Sequence, residues 1–457
     1  MLSPGISQIN VVAILGTSIL VYCILGVVYR LYFHPLSRFP GPKLPAATQW
    51  SEFYYECIQS GRYFVKIAQW HEQYGMSIAQ LMLQSVINSH ADCFAQGPII
   101  RIGPNELHID DPEYYNTLFS YSGVRNKDPF YTAQFNTPDT GFGSVDHYVH
   151  RMRRSALNPF FSKASINRLS PMLIAMVPDF SPSWAETFVA LAVAAKWCKF
   201  FPKVYTLMEY TPRWVLKRYA PGVILTLDHH DKIRAQIKEI LSGSILPVDV
   251  TIDGFPRTIF HNFLSSSLPE SEKTFGNMSQ EAINVIGAGT DTVANTLMIL
   301  VYYLAGDRAR CEKLREELKG AGLGRGEGGK GGNKRVELEM VERLVYLIPV
   351  GMSTMLQHHN EKIFPSSHQF IPERWVLPDG TINYALERYL TAFSRGTRIC
   401  IGQLLAKVEI HLALAVIISR FNIQLYDTEF DRDVKIKQDY FLPQPGSDSR
   451  GVRVLLS

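Results

Sequence analysis

Residues 393–402 read Phe393-Ser394-Arg395-Gly396-Thr397-Arg398-Ile399-Cys400-Ile401-Gly402. The segment places a single cysteine in a loop just ahead of an apolar stretch, 406–419, that reads as a helix. Gly396 and Gly402 allow the backbone a tight path around it. Helix N–H groups and the nearby Arg398 would favour thiolate over thiol at Cys400. A single soft thiolate in an apolar pocket suits an iron centre with an open coordination position. Arg398, two residues away, could reach an anionic group on such a cofactor. A buried free cysteine without chemistry is the bland alternative.

The rest of the chain sets the context. Its 457 residues are 46% hydrophobic and 19% charged, which excludes a disordered chain. Forty-six Lys+Arg against 42 Asp+Glu leave a net charge of +4, too balanced for a nucleic-acid binder. The 6 cysteines are scattered, with neither a disulfide framework nor zinc-finger spacing. No charged side chain occurs before Arg30, and 9–29 is almost wholly apolar. Those 21 residues match a hydrocarbon core about 30 Å thick. A membrane anchor over 1–30 is therefore expected, and Arg30, Arg38 and Lys43 would keep the body cytosolic. Pro40, Pro42 and Pro45 predict a stiff extended hinge over 31–45, ahead of a body over 46–457.

Within the body, a long helix is predicted over 277–305, capped by Ser279 and ended at Gly306-Asp307. A second follows over 307–319, carrying Glu312 and Arg315 as a surface pair. Eight of the thirteen residues 320–332 are glycine, so 320–335 reads as a flexible loop. Short β-like runs occur at 99–102, 106–109 and 452–456. The fold class is mainly α, with a minor sheet (α+β). Inside the long helix lies Ala288-Gly289-Thr290-Asp291-Thr292. A hydroxyl beside an acid could relay protons to a bound ligand, although solvated Asp and Thr on helices are common.

These motifs resemble the cytochrome P-450 monooxygenases. The pattern F-x-x-G-x-R-x-C-x-G is the haem-ligand loop of that family, and a chance match is on the order of one in ten thousand at average residue usage. By this resemblance Cys400 is the thiolate ligand of haem b, Arg398 binds a propionate, Phe393 shields the thiolate and Gly396 lets the loop pack against the ring. The Asp291-Thr292 pair resembles the oxygen-activating site: Thr292 would steady the bound oxygen and Asp291 would help deliver protons. Phe370-Ile371-Pro372-Glu373-Arg374-Trp375 looks like the family's meander. His150-Arg151-Met152-Arg153-Arg154 is similar to the helix that offers propionate ligands, through His150 and Arg154. Phe33-His34-Pro35-Leu36 and Gly103-Pro104-Asn105-Glu106-Leu107-His108 look like fungal microsomal members that tailor terpenoids or other secondary metabolites. Family position makes 130–142 and 441–443 pocket walls.

The resemblance implies insertion of one oxygen atom from O2 into a hydrophobic small molecule. NADPH would supply electrons through a separate membrane-bound reductase to a monomeric, single-pass protein of the endoplasmic reticulum.

The chain departs from the family in three places. Residues 341–347 run into Ile348-Pro349-Val350-Gly351-Met352-Ser353, where members insert an E-x-x-R helix. Its loss would leave Arg374 a buried guanidinium without partners, a cost of about 3–5 kcal/mol, and would impair haem uptake. A second gap lies near 170–178. Residues 76–97 read as an insertion, consistent with a retained intron. A fold with these parts missing, from a decayed gene or a gene-model error, is the competing expectation: a remnant that binds haem poorly.

Overall fold

The computed structural model describes residues 4–74, 99–121, 123–176, 193–243, 251–252, 255–256, 258–320 and 355–457. The insertion at 76–97, the glycine-rich segment beyond Gly320, the junction at 341–353 and most of the gap near 170–178 lie outside the described residues or their described side chains. Contacts divide the chain into two units, Met1–Leu118 and Phe119–Ser457.

The first unit opens with helix α1 (Pro4–Val28), followed by α2 (Tyr63–Tyr74). Nearly every described side chain of α1 is exposed, and the span Val11–Phe33 has a mean hydropathy of 2.6. An apolar helix with no protein cover is the pattern expected of a lipid-facing anchor.

The proline segment departs from the extended hinge expected of it. Pro35–Arg38 is a 3-10 turn and Lys43–Ala47 a short helix, with extended backbone at His34 ahead of the turn and at Phe39 and Pro42 between the two. Proline is tolerated in a first helical turn, where the missing N–H would have no partner anyway. Strands β1 (Ile99–Gly103) and β2 (Glu106–Ile109) pair antiparallel. Arg101 on β1 is 2% exposed and donates to the carbonyls of Arg30, Gly103 and Pro104. Its carbonyl lies where a Cβ on Gly41 would stand, so only glycine fits there.

The second unit is helical. Its longer elements are α3 (His147–Leu157), α4 (Lys163–Met176), α5 (Pro221–Leu241), α6 (Ile259–Ser265), α7 (Phe275–Gly306), α8 (Arg308–Gly320) and α9 (Gln403–Arg420). Strand β3 (Ile423–Leu425) pairs with β6 (Val454–Leu456), and β4 (Gln438–Asp439) with β5 (Pro443–Gln444), both antiparallel. Helix α7 organises the unit. Its N-terminal half sets Met278 and Ala282 among Ala156, Leu157, Ile233, Ile237, Ile259 and Phe263. Its C-terminal half packs Val293, Leu300 and Leu304 with Cys311, Leu314 and Leu318 of α8 and Val408, Leu412, Ala415 and Ile418 of α9. By length and composition α7 could also cross a membrane, but this packing makes it the central helix of the body.

Two local expectations change. The N-cap of α7 is Thr274, whose Oγ accepts from Asn277 N at 3.2 Å, while Ser279 is buried inside the helix. Arg315 is more than half of a surface pair. It bonds Glu312 at 2.6 Å, and it also donates to the carbonyls of Ile418 and Phe421, tying α8 to the end of α9.

Candidate functional site

The segment ahead of α9 is held by its own backbone. The Cys400 N–H donates to the Phe393 carbonyl at 2.8 Å, and Gly396–Arg398 forms a 3-10 turn. Ser394 (φ 58°) and Gly396 (φ 70°) both take left-handed conformations. A Cβ on Gly396 would run into the carbonyls of Phe119 and Ser120, so the close approach this glycine allows is to backbone 119–120.

Cys400 has an exposed side chain, yet burial still pushes its thiol up from the ordinary value. Accessible surface combined with desolvation describes a group on the floor of an opening. The Gly402 N–H and the Arg154 guanidinium pull the other way, toward thiolate. The expected partner, Arg398, does not act on the sulfur. Its guanidinium turns to the carbonyls of Ser144 and Val145, each at 2.9 Å, and of Asp146 at 3.4 Å. Arg154 does the nearer work, donating to the Ile399 carbonyl at 2.6 Å.

Arg154, Arg398 and Lys127 form a cationic cluster around His150. Burial lowers Arg154 and Arg398 from their ordinary values. Burial first, then the charges of Arg398, Arg154, Lys127 and His147, push His150 down to about 3. Burial and the charge of Arg398 bring Lys127 down to about 8. His150 is 4% exposed, and both its Nδ1 and Arg398 Nε are buried with no hydrogen-bond partner. The nearby carboxylate, Asp146, is already engaged: it caps α3, accepting from the N–H groups of Tyr148 and Val149. Mutual repulsion and the unpartnered Arg398 Nε–H make the place chemically suited to an anionic group. Lys127 escaped the sequence reading because its donation to the Phe142 carbonyl at 2.7 Å and its stacking on that ring are long-range contacts.

Helix α7 borders the same region. Ile401, next to Cys400, and Val285 and Ile286 of α7 all pack against the cluster that holds Met278 and Ala282. One turn on, Ala288 and Gly289 are exposed mid-helix, and a Cβ on Gly289 would enter open space. Thr292 Oγ donates back to the Ala288 carbonyl at 2.8 Å, and burial raises the Asp291 carboxyl. The two aromatic segments singled out in the sequence meet each other. Phe135, Phe142 and Phe441 pack edge to face, with centroids 4.9–6.2 Å apart. Asn295 of α7 donates to the Pro443 carbonyl at 3.3 Å.

Arg374 also departs from expectation. It is half-buried, and it is not without partners: it donates to the carbonyls of Ile371, Pro365 and Ser366 at 3.0–3.4 Å. Three carbonyls offset the burial that lowers its pKa, so the expected penalty of an orphaned guanidinium does not arise.

The family model for cytochrome P450 matches residues 188–350 and 348–448. Cytochrome P450 monooxygenase MO6277 of Ascocoryne sarcoides is 39% identical over 98% of this chain and 99% of its own length. The chain belongs to the cytochrome P450 family. Tryptophan 6-hydroxylase fscE of Fusarium equiseti is 29% identical over 98% of this chain and 99% of its own. Among solved structures, a retinoic acid-bound cyanobacterial CYP120A1 aligns with a TM-score of 0.56 at 15% identity, covering 79% of this chain and 92% of that one. A P450 holds haem through a cysteine thiolate and works with O2, a redox partner and a hydrophobic substrate. The residues present fit that group: an accessible sulfur, an opening at Gly289 and a cationic cluster whose unmet donors suit propionates.

Proposed function

We propose that this P450 is a membrane-anchored monooxygenase that oxidises a hydrophobic small molecule as a tailoring step in terpenoid or other secondary metabolism. The observation that carries the reading is an accessible Cys400 beside cations that lack a free counter-anion. Cys400 is the metal ligand, and Arg154, Arg398, His150 and Lys127 face the propionates. Haem, when bound, supplies the oxygen-activating chemistry. Phe393 covers the sulfur side of the loop. Asp291, whose carboxyl burial holds up, delivers protons from α7, and Thr292 orients them through its hydroxyl. Phe135, Phe142 and Phe441 exclude water and present edges and faces to an apolar substrate. Residues 1–30 anchor the protein in the endoplasmic reticulum and 31–45 connect it to a cytosolic body, where an NADPH-dependent reductase docks. The protein acts as a monomer.

The decisive experiment is a reduced, carbon-monoxide difference spectrum on microsomes containing the chain as written. A strongly red-shifted Soret band supports thiolate-bound haem; protein without that band overturns the reading for this chain.

One observation favours the second reading, a mis-spliced product or remnant lacking family segments. The alignment with MO6277 is 540 residues long against 457 residues here, so at least 83 of its positions have no residue in this chain. The two family-model segments also meet at 348–350, the place where the E-x-x-R helix is missed. Sequencing the transcript separates the cases: a spliced message that still contains codons 76–97 and omits the helix excludes a gene-model error.

A further inference from the structure

Segment 137–146 connects the aromatic wall to α3, and it is bound to α7 by a ladder of polar contacts. Gln280 accepts from Asp139 N at 3.2 Å and donates to Asp139 Oδ2 at 3.3 Å. One residue on, Glu281 Oε2 accepts from Gly141 N at 2.8 Å. One turn further, Asn284 donates to Thr137 Oγ1 and Thr140 Oγ1 at 2.9 and 2.8 Å. The segment is knotted internally: Thr140 Oγ1 donates to the Thr137 carbonyl, Gly143 N donates to Thr140 Oγ1, and Thr140 is 0% exposed. A Cβ on Gly143 would collide with the Thr137 carbonyl, which fixes that turn. At its far end the carbonyls of Ser144, Val145 and Asp146 are the ones that receive Arg398. One short segment therefore bridges the N-terminal third of the long helix, the Phe142 ring and the arginine of the cysteine loop.

We infer that Glu281 is a positioning residue: through Gly141 it latches segment 137–146 onto α7, and through that segment it sets the orientation of Arg398 and of the Phe135–Phe142 wall.

Glu281 is 4% exposed, and it is the buried carboxyl of the ladder. Charged neighbours are Arg153 of α3, which is ion-paired to Glu272 at 2.7 Å and stands 3.7 Å from Asp139 of the segment itself. Helices α5 and α6, packed around the same end of α7, contribute Ile233, Ile237, Ile259 and Phe263 to the cluster that holds Met278 and Ala282. Burial raises the carboxyl to about 7, against the smaller opposing pulls of the Gly141 N–H and Arg153. Protonated Glu281 still accepts through its carbonyl oxygen and carries no charge to desolvate. Ionised Glu281 gains by opening to water. The latch is tighter below neutrality and looser above it. Between pH 6 and pH 8 the opening equilibrium should rise roughly ten-fold, taking the ordinary carboxyl value for the open state.

The consequence for ligand binding rests on the haem reading above; the test does not need haem, so the two fail separately. Hydrogen–deuterium exchange on the full chain in detergent micelles, corrected for intrinsic rates, would compare wild type, Glu281→Gln and Glu281→Ala at pH 6 and pH 8. In the wild type, peptides spanning 138–146 and 393–402 should both lose protection by roughly ten-fold at pH 8, while 410–418 stays unchanged. Glu281→Gln keeps an acceptor for Gly141 and should remove most of that pH dependence, the remainder belonging to Lys127, which donates to the Phe142 carbonyl and is brought down to about 8. Glu281→Ala should expose both peptides at both pH values. Loosening of 138–146 without 393–402, an unchanged pH response in Glu281→Gln, or an equal rise in 410–418 would overturn the proposal.

Discussion

The two sides of α9 obey different rules. Behind it, α7, α8 and α9 enclose Leu314, Leu318, Leu412 and Ile418 at 0–1% exposure in an apolar cluster. In front of its N-terminus, Arg154, Arg398, His150 and Lys127 crowd together with lowered pKa values and unmet donors. The two cysteines nearest these regions carry the same contrast. Burial raises both thiols, but Cys311 is 4% exposed in the apolar cluster whereas Cys400 is open to solvent. An apolar cluster of the first kind is structural; a crowd of cations of the second kind is chemically suited to a bound anion.

Substitutions should separate the two sides. The largest effect belongs to Cys400→Ser, which should abolish the red-shifted reduced carbon-monoxide band while the unfolding free energy of the haem-free protein stays within about 1 kcal/mol of wild type. A retained band would place the thiolate elsewhere. Next comes Leu412→Ala, 1% exposed. It should lower unfolding free energy by about 2–5 kcal/mol in urea titration, with cofactor-free and loaded protein affected alike. Arg154→Ala should be smaller in stability but selective for the site: loss of a charged donor, worth about 1.5–3 kcal/mol, should speed haem transfer to an acceptor protein by roughly ten- to hundred-fold.

The smallest effect is in pH. His150 is held neutral, with a value near 3 against an ordinary 6.5. The unfolded chain therefore binds the extra proton between those limits, so stability is intact above about 6.5 and falls as pH drops toward 3. The slope is at most about 1.4 kcal/mol per pH unit. Bound propionates would raise the His150 value, so the loaded protein should show a shallower acid slope than the empty one. Equal slopes in an unfolding series from pH 7 to 5 would break the contrast.

Much of this was legible from short-range pattern. The apolar run ahead of Arg30, the periodic helices and the ten-residue cysteine motif all encode their conformation within a few residues, so α1, α7, α8 and α9 appear within a few residues of the expected bounds. What failed were readings about partners. Arg398 was expected at the thiolate but faces carbonyls 144–146, and Arg374 was expected to be orphaned but found three carbonyls. Backbone carbonyls have no signature in a sequence, so an arginine's acceptor cannot be named before the chain is folded.

The chain's order of residues alone determined the family, the single thiolate in a glycine-bounded loop, the Asp291-Thr292 pair and an uncharged N-terminal span, because each depends on residue type and local spacing. Tertiary structure decided that Lys127 joins Arg154, Arg398 and His150, that Gly396 yields to backbone 119–120, and that Glu281 reaches Gly141 across 140 residues. Those facts come from desolvation and close approach between distant segments, which exist only once packing has brought them together.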